Sequence, residues 1–451
     1  MKKTCGDEEH EQEHEHDGET LAAASSLPKV ASAVAIKNKF SIGEDMYDFT
    51  PAFANPSGSP IRELFKYQDQ PGMISFAGGY PASDLFDEEG LQQAAAGAFK
   101  TASRCLQYTS TDGLPVLKAE LVRLMARRSA PCTLSELLVT TGSQQGFDLL
   151  LRVLVNPGDV VLVEQPAYPA TLQALRLQGA TVVPVPVDSK GLDIDALRTV
   201  LEATHASGRP KMLYTVPTFS NPTGATLPRE RRIELLELAA KHKLLIVEDD
   251  PYGALRFAGE PTPSILSLTA DVPGSRDWVV HLASLSKISA PGLRIGWMVA
   301  PESVLRRCTI AKQTVDLCSS PWTQAIAAEY LAGGGLERHV PRIAAAYREK
   351  CDAMCEALRS AFGKSIEFTE PDGGMFVWVQ CESVDASELL KEAIDNGVLF
   401  VPGRAFSSSK KAAQSLRLSY AMPDVNAIKE GIGRLKIAFD SVVSRNAYRL
   451  L

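Results

Sequence analysis

Lys287 lies in the stretch Ser284-Leu285-Ser286-Lys287-Ile288-Ser289-Ala290-Pro291-Gly292-Leu293-Arg294. The apolar run before it, Trp278 to Ala283, reads as a buried strand. A lysine where such a strand ends is an amine beside apolar surface, and desolvation there favours its uncharged, nucleophilic form. Two hydroxyls, Ser284 and Ser286, precede it, and Arg294 follows seven residues later. Hydroxyls and a planar guanidinium fork suit a phosphate. A reactive amine beside a phosphate cradle describes a site for pyridoxal phosphate (PLP), held on Lys287 as a Schiff base.

Other reactive residues stand at comparable places. The aliphatic run Leu244 to Val247 is followed by Asp249 and Asp250, with Tyr252 three residues after Asp249. Asn221-Pro222-Thr223-Gly224 follows the run Met212 to Val216 and reads as a turn. Thr141-Gly142-Ser143-Gln144-Gln145-Gly146 follows Leu137 to Thr140 and opens an apolar-periodic helix. Free N–H groups and the positive dipole end at such a turn, near Ser143 and Gln144, suit a phosphate. Tyr168 follows the run Val160 to Val163, and Tyr108 sits beside the turn-forming Thr109 to Gly113. Arg417 lies between Leu416 and Leu418, an alternation that predicts a strand with the arginine on the face opposite the leucines. Singly, each has an ordinary account: a surface lysine, an acidic turn, a half-buried tyrosine, a solvated strand arginine.

Together, and in this order from Gly78-Gly79 to Arg417, the motifs resemble those of the class I/II (fold-type I) PLP-dependent aminotransferases. The resemblance covers nearly all of the chain after about residue 50. It implies that Asp249 pairs with the pyridine nitrogen of PLP and keeps it protonated, since an opposite charge favours the charged form. It implies that Asn221 meets the 3′ oxygen, that Tyr252 also contacts the cofactor, and that Tyr168 stacks on its ring. Ser143, Gln144, Ser284, Ser286 and Arg294 then hold the phosphate. Tyr108 reaches the phosphate of the neighbouring subunit, so the resemblance implies a homodimer with shared active sites. Arg417 binds the substrate α-carboxylate in a bidentate fashion, with Asn221 also at the substrate. Lys287, displaced by an amino acid, becomes the general base, and the amino group passes to a 2-oxo acid such as 2-oxoglutarate with ping-pong kinetics.

Two further motifs, Ser59-Pro60-Ile61-Arg62-Glu63-Leu64 and Ile74-Ser75-Phe76-Ala77-Gly78-Gly79-Tyr80-Pro81, are similar to the start of the kynurenine/2-aminoadipate (aromatic, LysN-like) branch. That implies a donor such as 2-aminoadipate or an aromatic or kynurenine-type amino acid. Arg62 would meet its distal carboxylate or polar side chain, and Gly79 would lie beside it. Tyr80 replaces the branch's usual leucine, and Arg404 follows Val401-Pro402-Gly403, so both can reshape the pocket. A PLP-dependent lyase on the same scaffold is the first rival, although Arg417 favours a substrate that keeps its carboxylate. A MocR-like PLP-sensing regulator is the second. The segment before Phe53 is too short and too acidic for the DNA-binding domain that such regulators add.

Composition sets wider bounds. The 451 residues are enough for two domains. A net charge of −7 argues against nucleic acid as the main partner. No apolar run approaches a membrane span, and the N-terminus lacks the features of a signal peptide. Eight scattered cysteines without paired metal spacing fit reduced thiols and a cytoplasmic protein. The segment Asp7 to Glu19 is acidic and holds His10, His14 and His16; a solvated tail describes it better than a metal site.

The elements that must position the reactive residues can be read as well. Between Leu137 and Val299, strand-like runs alternate with helical patterns such as Arg229 to Lys241, which starts after Pro228. Alternating β and α elements predict an α/β fold with a mostly parallel sheet covered by helices and a ligand at the carboxyl ends of the strands. After Gly333-Gly334-Gly335, a long helix from about His339 to Phe362 and strands near Phe376, Val398 and Leu416 predict a smaller α+β domain. The expected division is an acidic disordered tail (1–44), an arm that the resemblance joins to the small domain (45–81), a large PLP-binding domain (82–335) and a small C-terminal domain (336–451).

Overall fold

Fourteen apolar or alternating segments become strands in the computed structural model, which describes residues 47–54, 58, 60–204 and 208–449. They are β1 (Ile74–Ser75), β2 (Leu137–Thr140), β3 (Val160–Gln165), β4 (Thr181–Asp188), β5 (Gly191–Leu192), β6 (Met212–Thr215), β7 (Leu245–Asp250), β8 (Val279–Ser284) and β9 (Gly296–Val299). The C-terminal third adds β10 (Glu367–Phe368), β11 (Phe376–Gln380), β12 (Val398–Leu399), β13 (Val401–Pro402) and β14 (Ser415–Ser419). The tail expected before residue 45 lies outside the described residues.

Eight strands form the main sheet in the order β2-β9-β8-β7-β6-β3-β4-β5. The run from β8 through β4 is parallel, while β9 runs antiparallel to both of its neighbours and β5 antiparallel to β4. β2, β6, β8 and β9 are buried at every position, as a sheet covered on both faces requires. Two boundaries differ from the sequence reading. Trp278 belongs to a short 3-10 turn, Arg276–Trp278, so β8 begins at Val279. β7 runs through Asp250, which places Asp249 inside the strand rather than in the loop after it. The helix after Pro228 spans Arg229–His242, one residue longer than its apolar pattern.

The C-terminal part opens with a helix over Gly335–Phe362 that starts four residues before the sequence pattern and carries Pro341 in its interior. A four-stranded antiparallel sheet follows, in the order β10-β11-β14-β13. The N-terminal segment is stitched to this region. β1 pairs in parallel with β12, Phe76 N donates to the Leu399 carbonyl at 2.7 Å, and Ser419 N donates to the Phe76 carbonyl at 2.9 Å. A small apolar cluster of Leu64, Ala77, Leu399, Val401 and Phe406 backs these bonds. No helix among the described residues is long and apolar enough to cross a membrane.

Candidate active site

A cavity of about 720 Å³ opens at the carboxyl ends of β3, β6, β7 and β8. Its lining holds Lys287, Asp249, Ser143, Gln144, Tyr168, Asn221, Tyr252, Ser284, Ser286, Arg294, Arg417, Gly79 and Arg62. Tyr108 is the exception. It is 77% exposed and takes no part in the lining of this chain.

Lys287 follows β8 by three residues, and its Nζ donates to the Gly79 carbonyl at 2.8 Å. Burial pulls its pKa down from 10.5 to about 8, helped by the cations Arg417 and Arg294. Near neutral pH a useful fraction of this amine is therefore a free base.

Asp249 projects from β7 into the same space, while its neighbour Asp250 turns away to accept from Gly253 N at 2.8 Å. Strand alternation separates the two, and only Asp249 serves the cavity. Burial raises the Asp249 pKa to about 6, against hydrogen bonding from Tyr214 that favours the charged form. Tyr214 donates to Oδ2 at 2.6 Å. Oδ1 is buried without a well-formed hydrogen bond, although Ser143 lies near enough to favour the carboxylate. A buried acceptor in this condition calls for a donor from a ligand.

The phosphate-type end is built by a tight turn. Gly142 has φ +83° and precedes the helix Ser143–Leu154. That backbone angle favours glycine, and a Cβ there would come within 2.6 Å of Arg294 Nη2 and push the guanidinium from its place. Arg294 itself adopts the left-handed region at φ +53°, and its Nη2 donates to the Thr141 carbonyl at 3.2 Å. Ser284 Oγ stands 2.8 Å from Ser286 Oγ and accepts from Ser286 N at 3.0 Å. Helix N–H groups, two hydroxyls and a guanidinium thus converge on one end of the cavity.

At the other end, Arg417 is 1% exposed. Arg417 lies on the face of β14 opposite the leucines, and all five residues of the strand are buried, because the Phe76–Gly79 segment and the cavity wall cover that face. Its guanidinium lies 4.3 Å from the Phe376 ring centroid and 5.2 Å from that of Phe406. Nη1 donates to Asn221 Oδ1 at 2.8 Å and Nη2 to the Ala77 carbonyl at 2.5 Å, while Nε is buried without a partner. Burial lowers its pKa to about 10, opposed by Tyr252 and Tyr168, and it remains a cation at neutral pH. Arg62, from the short helix Pro60–Glu63, and the ring pair Phe65–Tyr80, with centroids 5.6 Å apart, complete the outer wall. Arg404 does not line the cavity; it pairs with Asp385 at 3.0 Å.

Sequence reasoning missed two residues. Tyr214 lies mid-strand in an apolar run and reads there as core. Glu164, one residue before the end of β3, is buried under the Asn221 turn, where it accepts from the Thr215 hydroxyl and lies 3.4 Å from Ser220 Oγ. Burial pushes its pKa up to about 7. Its place before Gln165-Pro166 gave no signal, because a carboxylate at a strand end usually faces solvent.

The residues present fit PLP. An amine of lowered pKa, an unsatisfied carboxylate oxygen and a glycine-tight anion cradle lie around one cavity. The comparisons agree. The model of the family "aminotransferase class I and II" matches residues 79–435. The chain is 40% identical to aromatic-amino-acid aminotransferase 1 of Thermococcus litoralis, over 84% of this chain and 90% of that protein. Among solved structures it superposes with TM-score 0.83 on the kynurenine aminotransferase of Pyrococcus horikoshii, at 37% identity over 87% of this chain and 97% of the other. The α-aminoadipate aminotransferase of Thermus thermophilus, complexed with N-(5'-phosphopyridoxyl)-L-leucine, gives TM-score 0.80 at 36% identity, covering 88% and 98%. Motifs, cavity and relatives lead to one assignment: the chain belongs to the class I and II aminotransferases, PLP-dependent transaminases of fold type I.

Proposed function

We propose that this transaminase takes its amino group from an L-amino acid with an aromatic, kynurenine-type or 2-aminoadipate side chain and passes it to 2-oxoglutarate. The carrying observation is the pairing of Lys287 with Arg417 across one cavity, close enough for the arginine's charge to depress the lysine pKa. Arg417 presents Nε and a fork-shaped face for an α-carboxylate, with Asn221 fixing its tilt. Bound PLP supplies the electron sink for charge that develops at the substrate α-carbon. Lys287 Nζ takes the α-proton and returns it, acting as general base and then acid. Asp249 Oδ1 would accept from the protonated pyridine nitrogen of the cofactor, and the bond from Tyr214 favours that carboxylate's charged form. Ser143, Gln144, Ser284, Ser286 and Arg294 anchor the phosphate. Tyr168 would pack on the ring of the bound cofactor, and Tyr252 and Asn221 would hold its 3′ oxygen.

Arg62 and the Phe65–Tyr80 rings support the side-chain preference, since a cation and two aromatic faces suit an acidic or planar group. Exposed Tyr108 supports a homodimer in which it serves the partner's site. The strand pairing of β1 with β12 supports assigning the arm 45–81 to the C-terminal domain (336–451), apart from the large domain 82–335. The free cysteines among the described residues support a cytoplasmic location as part of the same reading.

The test is the absorption spectrum of the PLP-loaded protein while single amino acids are added. Conversion of the yellow form by an aromatic donor, kynurenine or 2-aminoadipate, restored by 2-oxoglutarate, supports the reading and the ping-pong exchange. A yellow form converted only by other donors rejects the named substrate class. Turnover that needs no oxo acid would favour the lyase.

A further inference from the structure

A polar network lies directly behind the anion cradle, outside the cavity. Lys312 is fully buried and pairs with Asp316 Oδ1 at 2.6 Å, at the end of the helix Glu302–Val315. Asp316 Oδ2 accepts from Gln145 Nε2 at 2.7 Å and from the Thr141 hydroxyl at 3.2 Å. The same Gln145 turns its Oε1 to accept from Thr141 N at 2.8 Å. Thr141 Oγ1 also stands 3.0 Å from Ser319 Oγ. On the other side, the Thr141 carbonyl takes the 3.2 Å bond from Arg294. Every polar group of Thr141 is thus held: amide by Gln145, hydroxyl by Asp316 and Ser319, carbonyl by the guanidinium that faces the cavity.

The chemistry of the arrangement is directional. Asp316 can only accept, so it fixes the Gln145 amide with its nitrogen toward the carboxylate and its oxygen toward Thr141. A carboxylate this near a phosphate site would repel the anion if left bare. Lys312 neutralises it, so the network positions without opposing the ligand's charge. Burial pushes the Asp316 pKa up, but the bonds from Lys312 and Gln145 outweigh burial and leave it below the usual range.

We propose that Asp316, acting through Gln145 and Thr141, is a positioning residue that sets the Thr141–Gly142 peptide and thereby the site's affinity for the phosphate group of its cofactor. The inference rests on the PLP reading of the cavity. None of Asp316, Gln145 and Thr141 lines the cavity, so their effect passes through the cradle rather than through contact.

The experiment uses the full chain, stripped of cofactor and titrated with PLP and, separately, with pyridoxal, which lacks the phosphate. Gln145→Met keeps length and removes both hydrogen bonds. It should raise the PLP Kd about tenfold, which is about 1.4 kcal/mol, and leave the pyridoxal Kd unchanged. Thr141→Val should shift the PLP Kd in the same direction, and Thr141→Ser, which keeps the hydroxyl, should restore it. Asp316→Asn strands the buried Lys312 cation and can fail to fold, so the neutral Gln145 and Thr141 variants carry the decision. An unchanged PLP Kd in Gln145→Met would overturn the proposal. So would equal weakening of PLP and pyridoxal, which marks a general structural defect. A wild-type chain that binds neither compound would instead sink the PLP reading itself.

Discussion

Tyr214 places its hydroxyl 2.6 Å from Asp249 Oδ2, and the Phe147 ring packs against Tyr214 with centroids 4.9 Å apart. The tyrosine is therefore locked from behind, and the carboxylate receives a donor whose position it cannot choose. Burial alone drives Asp249 toward its neutral form; this bond opposes that drift.

Removing the donor should therefore be felt at the ring nitrogen. Tyr214→Phe leaves the packing and deletes one charge-assisted hydrogen bond, worth about 1.5–3 kcal/mol. The Asp249 pKa, already raised to about 6, should rise further. We expect kcat to fall at least about tenfold, by that free energy, and the acid limb of its pH profile to move upward. A profile superimposable on the wild type would show that Asp249 does not depend on Tyr214.

Lys287 should titrate early. With its pKa lowered to about 8, the amine of the cofactor-free chain is charged below that pH and nucleophilic above it. Modification by an amine-directed reagent, read by peptide mass spectrometry, should have its midpoint near pH 8 for Lys287. A midpoint in the ordinary range of exposed lysines would contradict the burial argument. Lys287→Ala should lose transamination by at least about 10²–10⁴-fold, since nucleophile and base go together.

Tyr80 is 45% exposed at the cavity mouth and leans on Phe65. An aromatic pair of this kind contributes about 0.5–1.5 kcal/mol beyond area. Tyr80→Leu should lower kcat/KM for aromatic donors about three- to tenfold relative to 2-aminoadipate. Equal effects on both donors would remove Tyr80 from specificity.

Behind the sheet, His281 Nδ1 lies 2.9 Å from Glu248 Oε2, with both side chains buried. Burial pulls the imidazole pKa down, but Glu248 outweighs it and leaves the value above 6.5. A folded pKa raised above the unfolded one contributes stability that is fully present below pH 6.5 and lost as pH rises through the folded value. The Tm advantage of the wild type over His281→Asn should therefore shrink from pH 6 to pH 9. A constant difference would mean that His281 is neutral in the fold throughout.

Some of this site can be read from the chain because its chemistry sits where strands end. Lys287, Asn221 and the Thr141–Gln145 turn each follow an apolar run, and the structure gathers them at one edge of the main sheet. Tyr214 could not be read that way. It pairs in register with Val247, two residues before Asp249, and only that parallel register brings its hydroxyl to the carboxylate. Arg417 was legible as a strand residue but not as a buried one, since its cover comes from Phe76 to Gly79, more than three hundred residues away in sequence. Asp316 lies at a helix end that looks like any polar cap until Gln145 is set beside it.

The Phe76–Gly79 segment bonds at one end to Leu399 and Ser419, grips Arg417 through the Ala77 carbonyl, and at the other end holds Lys287 through the Gly79 carbonyl. It is a tie rod between two sheets. The positions of the Arg417 guanidinium and the Lys287 amine are therefore set by the same four residues of backbone.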